Sequence, residues 1–112
     1  MPRLKNIKKL NIDESDYNEL IDYLTLYVNM QEALIDQIKI NVINNNYTIY
    51  DTHENVIFTF IEYDDTLIDM LVMLAPKRIT IRNPLNFKNN ELIKTIIGIF
   101  KERVELNYEI AL

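Results

Sequence analysis

The sequence predicts an α+β domain: a single mixed sheet of about five strands, an antiparallel meander plus a parallel βαβ unit, packed with three helices. The predicted order is α-β-β-β-α-β-α-β. Three observations carry this. Apolar residues recur at helical spacing around 17–28, 67–75 and 92–100. They alternate with polar residues at 38–42, 78–82 and 104–112. Clusters of asparagine, aspartate and proline separate these stretches.

Residues 1–12 form a basic lead-in, in which Arg3, Lys5, Lys8 and Lys9 are interspersed with Leu4, Ile7, Leu10 and Ile12. A single domain over 13–112 follows. Asp13, Glu14, Ser15 and Asp16 suit the start of a first helix, whose N-terminal end favours carboxylates. Tyr17, Leu20, Ile21, Leu24, Tyr27 and Val28 then share one helix face. The helix is expected to run to Gln31 or to Asp36. Ile38, Ile40 and Val42 begin a strand, and Asn44-Asn45-Asn46 supplies a turn because asparagine tolerates left-handed backbone. Tyr47–Tyr50 returns as a second strand, and Asp51-Thr52-His53-Glu54-Asn55 turns again. Val56–Ile61 is apolar on both faces except at Thr59, which predicts a central strand covered on both sides.

Asp64 or Asp65 is expected to cap a second helix that buries Leu67, Ile68, Leu71, Val72, Leu74 and Ala75. Pro76 ends it. In the strand Arg78–Arg82, Ile79 and Ile81 point inward, and Arg78, Thr80 and Arg82 outward. A helix over 89–102 buries Leu92, Ile93, Ile96, Ile97 and Phe100. Its Gly98 is expected to permit close packing on the sheet. The alternation from Val104 to Leu112 makes the last strand, parallel to the fourth across a right-handed crossover.

Composition excludes several chemistries. The 112-residue chain has one glycine, one histidine and no cysteine. One glycine cannot form a GxGxxG or Walker loop. One histidine excludes HExxH and multi-histidine metal sites, and the lack of thiols excludes disulfides, a cysteine nucleophile and cysteine-rich zinc sites. The formal net charge of −5 argues against generic nucleic-acid binding. No apolar run approaches the roughly 20 residues of a membrane span, and the N-terminus lacks a signal-peptide core. A cytoplasmic location is expected.

The run Leu67-Ile68-Asp69-Met70-Leu71-Val72-Met73-Leu74-Ala75-Pro76-Lys77-Arg78-Ile79-Thr80-Ile81, then Asn83-Pro84 and Asn86-Phe87-Lys88-Asn89-Asn90-Glu91-Leu92-Ile93-Lys94-Thr95-Ile96, closes with Ile99-Phe100 and Arg103-Val104-Glu105. This resembles the C-terminal part of the sporulation protein YtxC family of spore-forming Firmicutes. Tyr27-Val28-Asn29-Met30-Gln31-Glu32 with Ile35-Asp36-Gln37-Ile38 is similar to that family's helix leading into a strand. The likeness covers most of 17–106. It implies a sporulation-associated protein and brings no assigned catalytic residues. It also implies a longer family protein, of which this chain matches the last portion. Members of the family end with cysteines after the segment matching Val104-Glu105-Leu106. Here the tail Asn107-Tyr108-Glu109-Ile110-Ala111-Leu112 has no thiol, so no metal or redox role carries over.

Each candidate site has a plainer reading beside it. Asp64-Asp65 could be general acid/base or magnesium ligands, and helix capping explains them. His53 could shuttle protons, and an exposed turn histidine is the simpler account. Tyr47, Tyr50, Phe58, Phe60 and Tyr63 could stack bases, though strands concentrate aromatics anyway. Lys77, Arg78 and Arg82 are the best ligand or partner candidates. Arg78 and Arg82 share a strand face, Lys88 and Lys94 could lie near, and arginines there could pair a carboxylate or phosphate. Alternatively they neutralise Asp64, Asp65 or Asp69. Tyr23, Leu26 and Met30 lie off the main stripe of the first helix, which implies deep burial or a protein contact. The final strand, at an edge, could pair with a partner's strand.

The expected function is therefore non-enzymatic, through a protein partner or self-association, with no cofactor, no metal and no membrane. The alternative is a weak nucleic-acid or phosphate-ligand module built on the basic strand face.

Overall fold

Helix α1 (Glu14–Met30) enters the fold with Ile21, Leu24 and Val28 buried along one face. In this computed structural model, the described residues are 14–43, 46–61 and 64–108. The basic lead-in, Asp13, the middle of the first asparagine turn, Tyr63 and the last four residues lie outside them. α1 stops at Met30, the early end of its expected range. The Gln31 N–H bonds the Val28 carbonyl at 3.2 Å, and Leu34 N–H reaches across to the Leu74 carbonyl at 2.9 Å. The second bond ties the segment after α1 to the C-terminal end of the next helix in the chain.

Strands β1 (Gln37–Ile43), β2 (Asn46–Tyr50) and β3 (Val56–Ile61) form the antiparallel meander. After helix α2 (Asp64–Leu74) come β4 (Arg78–Arg82), helix α3 (Asn90–Phe100) and β5 (Val104–Asn107). The sheet order is β3-β2-β1-β4-β5. β4 and β5 are parallel, as the crossover requires, and β1 and β4 are parallel as well. Element order and sheet type agree with the sequence.

The register explains the isoleucine content. Ile38 pairs Ile79, and Ile40 sits between Ile49 and Ile81. Ile79 and Ile81 face Val104 and Leu106 in turn. These side chains join the buried residues of all three helices in one cluster, so the helices cover one face of the sheet. Each buried aliphatic side chain contributes about 1.5–3 kcal/mol. A one-residue slip would turn the whole set to the opposite face.

Several expectations are corrected. β3 is an edge strand, not central: Val56 and Phe58 are exposed, and β1 takes the middle. Two-faced apolar patterning here reflects an edge that leaves hydrophobics uncovered. Asp64 and Asp65 occupy the first turn of α2 rather than preceding it, and Asp65 is buried. Thr80 points away from the helices yet is only 6 % exposed, because Lys39 and Glu105 flank it in register. Ile97 is partly exposed instead of buried. β5 ends at Asn107, whose carbonyl accepts from Asn83 N–H at 2.8 Å.

Gly98 serves helix–helix packing rather than packing on the sheet. A Cβ there would lie 3.2 Å from Cγ2 of Ile21 on α1. Thr25 Oγ1 also donates to the Gly98 carbonyl at 3.2 Å. The Tyr17 and Thr95 hydroxyls hydrogen-bond across the same helix pair. Among the described residues, positive φ occurs at Glu54, Ala75, Asn83 and Lys101, of which Asn83 is the asparagine. Ala75 closes α2 with its N–H on the Leu71 carbonyl at 2.8 Å. Asn89 caps α3, its side chain accepting from Glu91 N–H at 3.0 Å.

Candidate functional site

Residues that alternate with the buried set carry the sheet's other face: Lys39 and Asn41 on β1, Thr48 and Tyr50 on β2, Thr80 and Arg82 on β4, Glu105 on β5. The turn between β2 and β3 folds over this polar face. Asp51 builds the turn, its Oδ1 accepting from His53 N–H at 2.8 Å and Asn55 N–H at 2.9 Å. Its own N–H bonds the Asn55 carbonyl at 2.9 Å. The Asn55 N–H leads the causes that hold the Asp51 carboxyl below its ordinary pKa. His53 is an exposed turn residue, as its simpler reading has it.

That turn places Glu54, at φ 65°, over the sheet. Its Oε1 lies 3.3 Å from Lys39 Nζ and bonds the Arg82 guanidinium. The Arg82 guanidinium carbon stands 5.4 Å from the centre of the Tyr50 ring. The Arg82 hydrogen bond is the main reason the Glu54 pKa is lowered, with Lys39 adding to it. One carboxylate thus ties β1, β4 and the β2–β3 turn together. An external anion at Arg82 has to compete with it.

The three predicted basic residues are not one site. Lys77 and Arg78 lie at the start of β4, and Arg82 at its end, roughly 13 Å along the strand. Arg78 shares a groove of about 300 Å3 with Lys77, Arg103, Thr80, Glu102 and Glu105. Two glutamates in that lining balance most of its positive charge. Lys77 Nζ is 3.9 Å from Asp36 Oδ1, and both side chains are well exposed, so the pair is weak. Arg103 donates to the Pro76 carbonyl at 3.1 Å and to Asn29 Oδ1 at 3.3 Å. Lys88 and Lys94 do not line the groove, and Lys94 pairs with Glu91 on α3. Lys77 thus lies near Asp36, in a loop, and Arg82 meets Glu54, in a turn.

Sequence reasoning missed Lys39, Glu54 and Arg103. Lys39 had a signal, since it stands between two core isoleucines on what became the central strand. Glu54 had none, because its reach depends on strand order.

The second candidate surface is on α1. Tyr23, Leu26, Tyr27 and Met30 are spaced 3, 4 and 7 and are all exposed, Met30 at 79 %. This is a second apolar stripe, opposite in character to the buried one. Tyr27 belongs to it, which corrects its placement on the core face. Its ring stacks on Tyr23 with centroids 6.5 Å apart. Gln31 Nε2 bonds the Val72 carbonyl at 3.1 Å, and Leu34 N–H bonds Leu74. Those contacts bring exposed Leu34 and Met73 to the same end of the helix layer.

A family model described as YtxC-like matches residues 5–105. The chain belongs to the YtxC-like family. The match extends the likeness seen over 17–106 toward the N-terminus and takes in much of the basic lead-in. No curated protein and no solved structure matches this chain. The YtxC-like domain has, among its described residues, no helix long and apolar enough to cross a membrane.

Proposed function

We propose that this YtxC-like domain is a cytoplasmic, non-catalytic sporulation component that works through protein contacts. The observation that carries this reading is the exposed stripe Tyr23–Leu26–Tyr27–Met30 on α1. Large apolar groups in register on one helix face favour burial against another surface. The family resemblance supplies the sporulation setting. The test replaces the native gene in a spore-forming host with a Leu26→Glu, Tyr27→Glu variant. Spore yield falls while the protein accumulates to its normal level. Normal yield at normal protein level overturns the reading.

A second reading is a weak phosphate-ligand or nucleic-acid site. The grouping of Lys77, Arg78 and Arg103 in one groove favours it. Glu102 and Glu105 in the same lining, and the engagement of Arg82 by Glu54, weigh against it. It requires salt-sensitive retention of nucleotides or nucleic acid that Arg78→Ala reduces. Absence of retention at low salt removes it.

A further inference from the structure

We infer that the exposed face of α1 binds a basic amphipathic helix of a partner protein. The inference rests on the contact reading above and names the partner's chemistry. Between Glu14 and Asp36 the chain has no lysine, arginine or histidine. The solvent side of α1 is divided along its length. Its first half presents the exposed carboxylates of Glu19 and Asp22, and its second half presents Tyr23, Leu26, Tyr27 and Met30. Glu32, also exposed, follows the stripe at its C-terminal end.

Helical spacing sets the relation between the two halves. Glu19 precedes Tyr23 by four residues, and Asp22 precedes Leu26 by four, so each acid stands one turn before an apolar residue on its own line. The face is an apolar strip with negative charge at both ends. Its complement is a helix with apolar residues at i, i+3, i+4 and i+7, flanked by lysine or arginine. The side-chain chemistry agrees. Exposed methionines adapt to varied apolar shapes, and Met30 is the most exposed member of the stripe. The paired Tyr23 and Tyr27 rings offer large contact area with few rotatable bonds, and their faces attract cations. An acidic helix, or a second copy of this one, would set carboxylates against carboxylates in a parallel or an antiparallel pairing.

The probe is a fluorescein-labelled Leu/Lys amphipathic peptide of about 18 residues, long enough to form a helix on binding. Its Leu/Glu counterpart is the control, and both are titrated with the full chain by anisotropy. The Leu/Lys peptide binds and the Leu/Glu peptide does not. Leu26→Ser, Tyr27→Ser weakens binding at least about tenfold at low and at high salt. Glu19→Gln, Asp22→Asn weakens it several-fold at low salt only, because screening removes the electrostatic part. Leu/Lys binding that the Leu26, Tyr27 variant leaves intact overturns the inference, as does equal binding of both peptides. So does a Leu26-dependent dimer in sedimentation velocity. If the peptide fails while the α1 variant still lowers spore yield, the partner class falls and the contact reading stands. If both fail, both fall.

Discussion

Leu24 and Leu26 are two residues apart on the same helix and have opposite surroundings. Leu24 is 1 % exposed in the core, and Leu26 is 60 % exposed. The core side of α1 meets Gly98 and its neighbours on α3 at close range. The other side leaves Tyr23, Leu26, Tyr27 and Met30 exposed. A contrast in the reverse sense holds for the sheet's outer face. There the groups are polar and matched inside the chain: Glu54 with Lys39 and Arg82, Asp51 with its own turn. Polar groups with internal partners read as structure. Apolar groups exposed in register are the surface that the proposed contact would cover.

The largest expected effect tests the buried side. Leu24→Ala costs about 2–5 kcal/mol in denaturant unfolding, the range for a cavity in a packed core. Gly98→Leu costs about 1–3 kcal/mol, because the added atoms meet Ile21 across the helix crossing. Gly98→Ala stays within about 1 kcal/mol of the parent, since better helix propensity offsets the tight contact.

The polar face gives a smaller effect with a distinctive pH dependence. Glu54→Gln lowers the unfolding midpoint less than Leu24→Ala does. The Glu54 and Asp51 pKa values are depressed in the folded chain. Their contribution is therefore complete above the unfolded carboxylate values near pH 4 and is lost as pH falls through the lower folded values. The gap between parent and Glu54→Gln should be widest above about pH 5 and should shrink in acid. A gap that grows in acid would contradict the assignment. The smallest effect is on the exposed stripe. Leu26→Ala changes stability by no more than about 0.5 kcal/mol, the usual range for a surface substitution.

Much of this architecture is legible in the residues. Alternation at Ile38–Val42 and Ile79–Ile81 reports strands with one buried face, and Pro76 and Asn89 mark helix ends. Lateral strand order is not legible in the same way. Alternation reports burial above and below a strand, and says nothing of its neighbours. That is why Val56–Ile61 reads as central and sits at an edge. The Glu54 clamp unites a turn, β1 and β4, so it stays hidden until the order β3-β2-β1-β4-β5 is known. Arg78 and Arg82 do share a strand face, but strand rise separates them and Glu54 engages one alone. Tyr27 lies at the border of two helix faces, where spacing cannot choose. The unusual width of the apolar surface on α1 was visible in Tyr23, Leu26 and Met30. That these side chains stay exposed rather than buried required the fold.

The most direct test of the central claim places a photo-crosslinking amino acid at position 26, and separately at position 53 in the exposed β2–β3 turn, in sporulating cells. The account predicts a discrete protein adduct from position 26 and none from position 53. Adducts from neither position, or the same adducts from both, would contradict it.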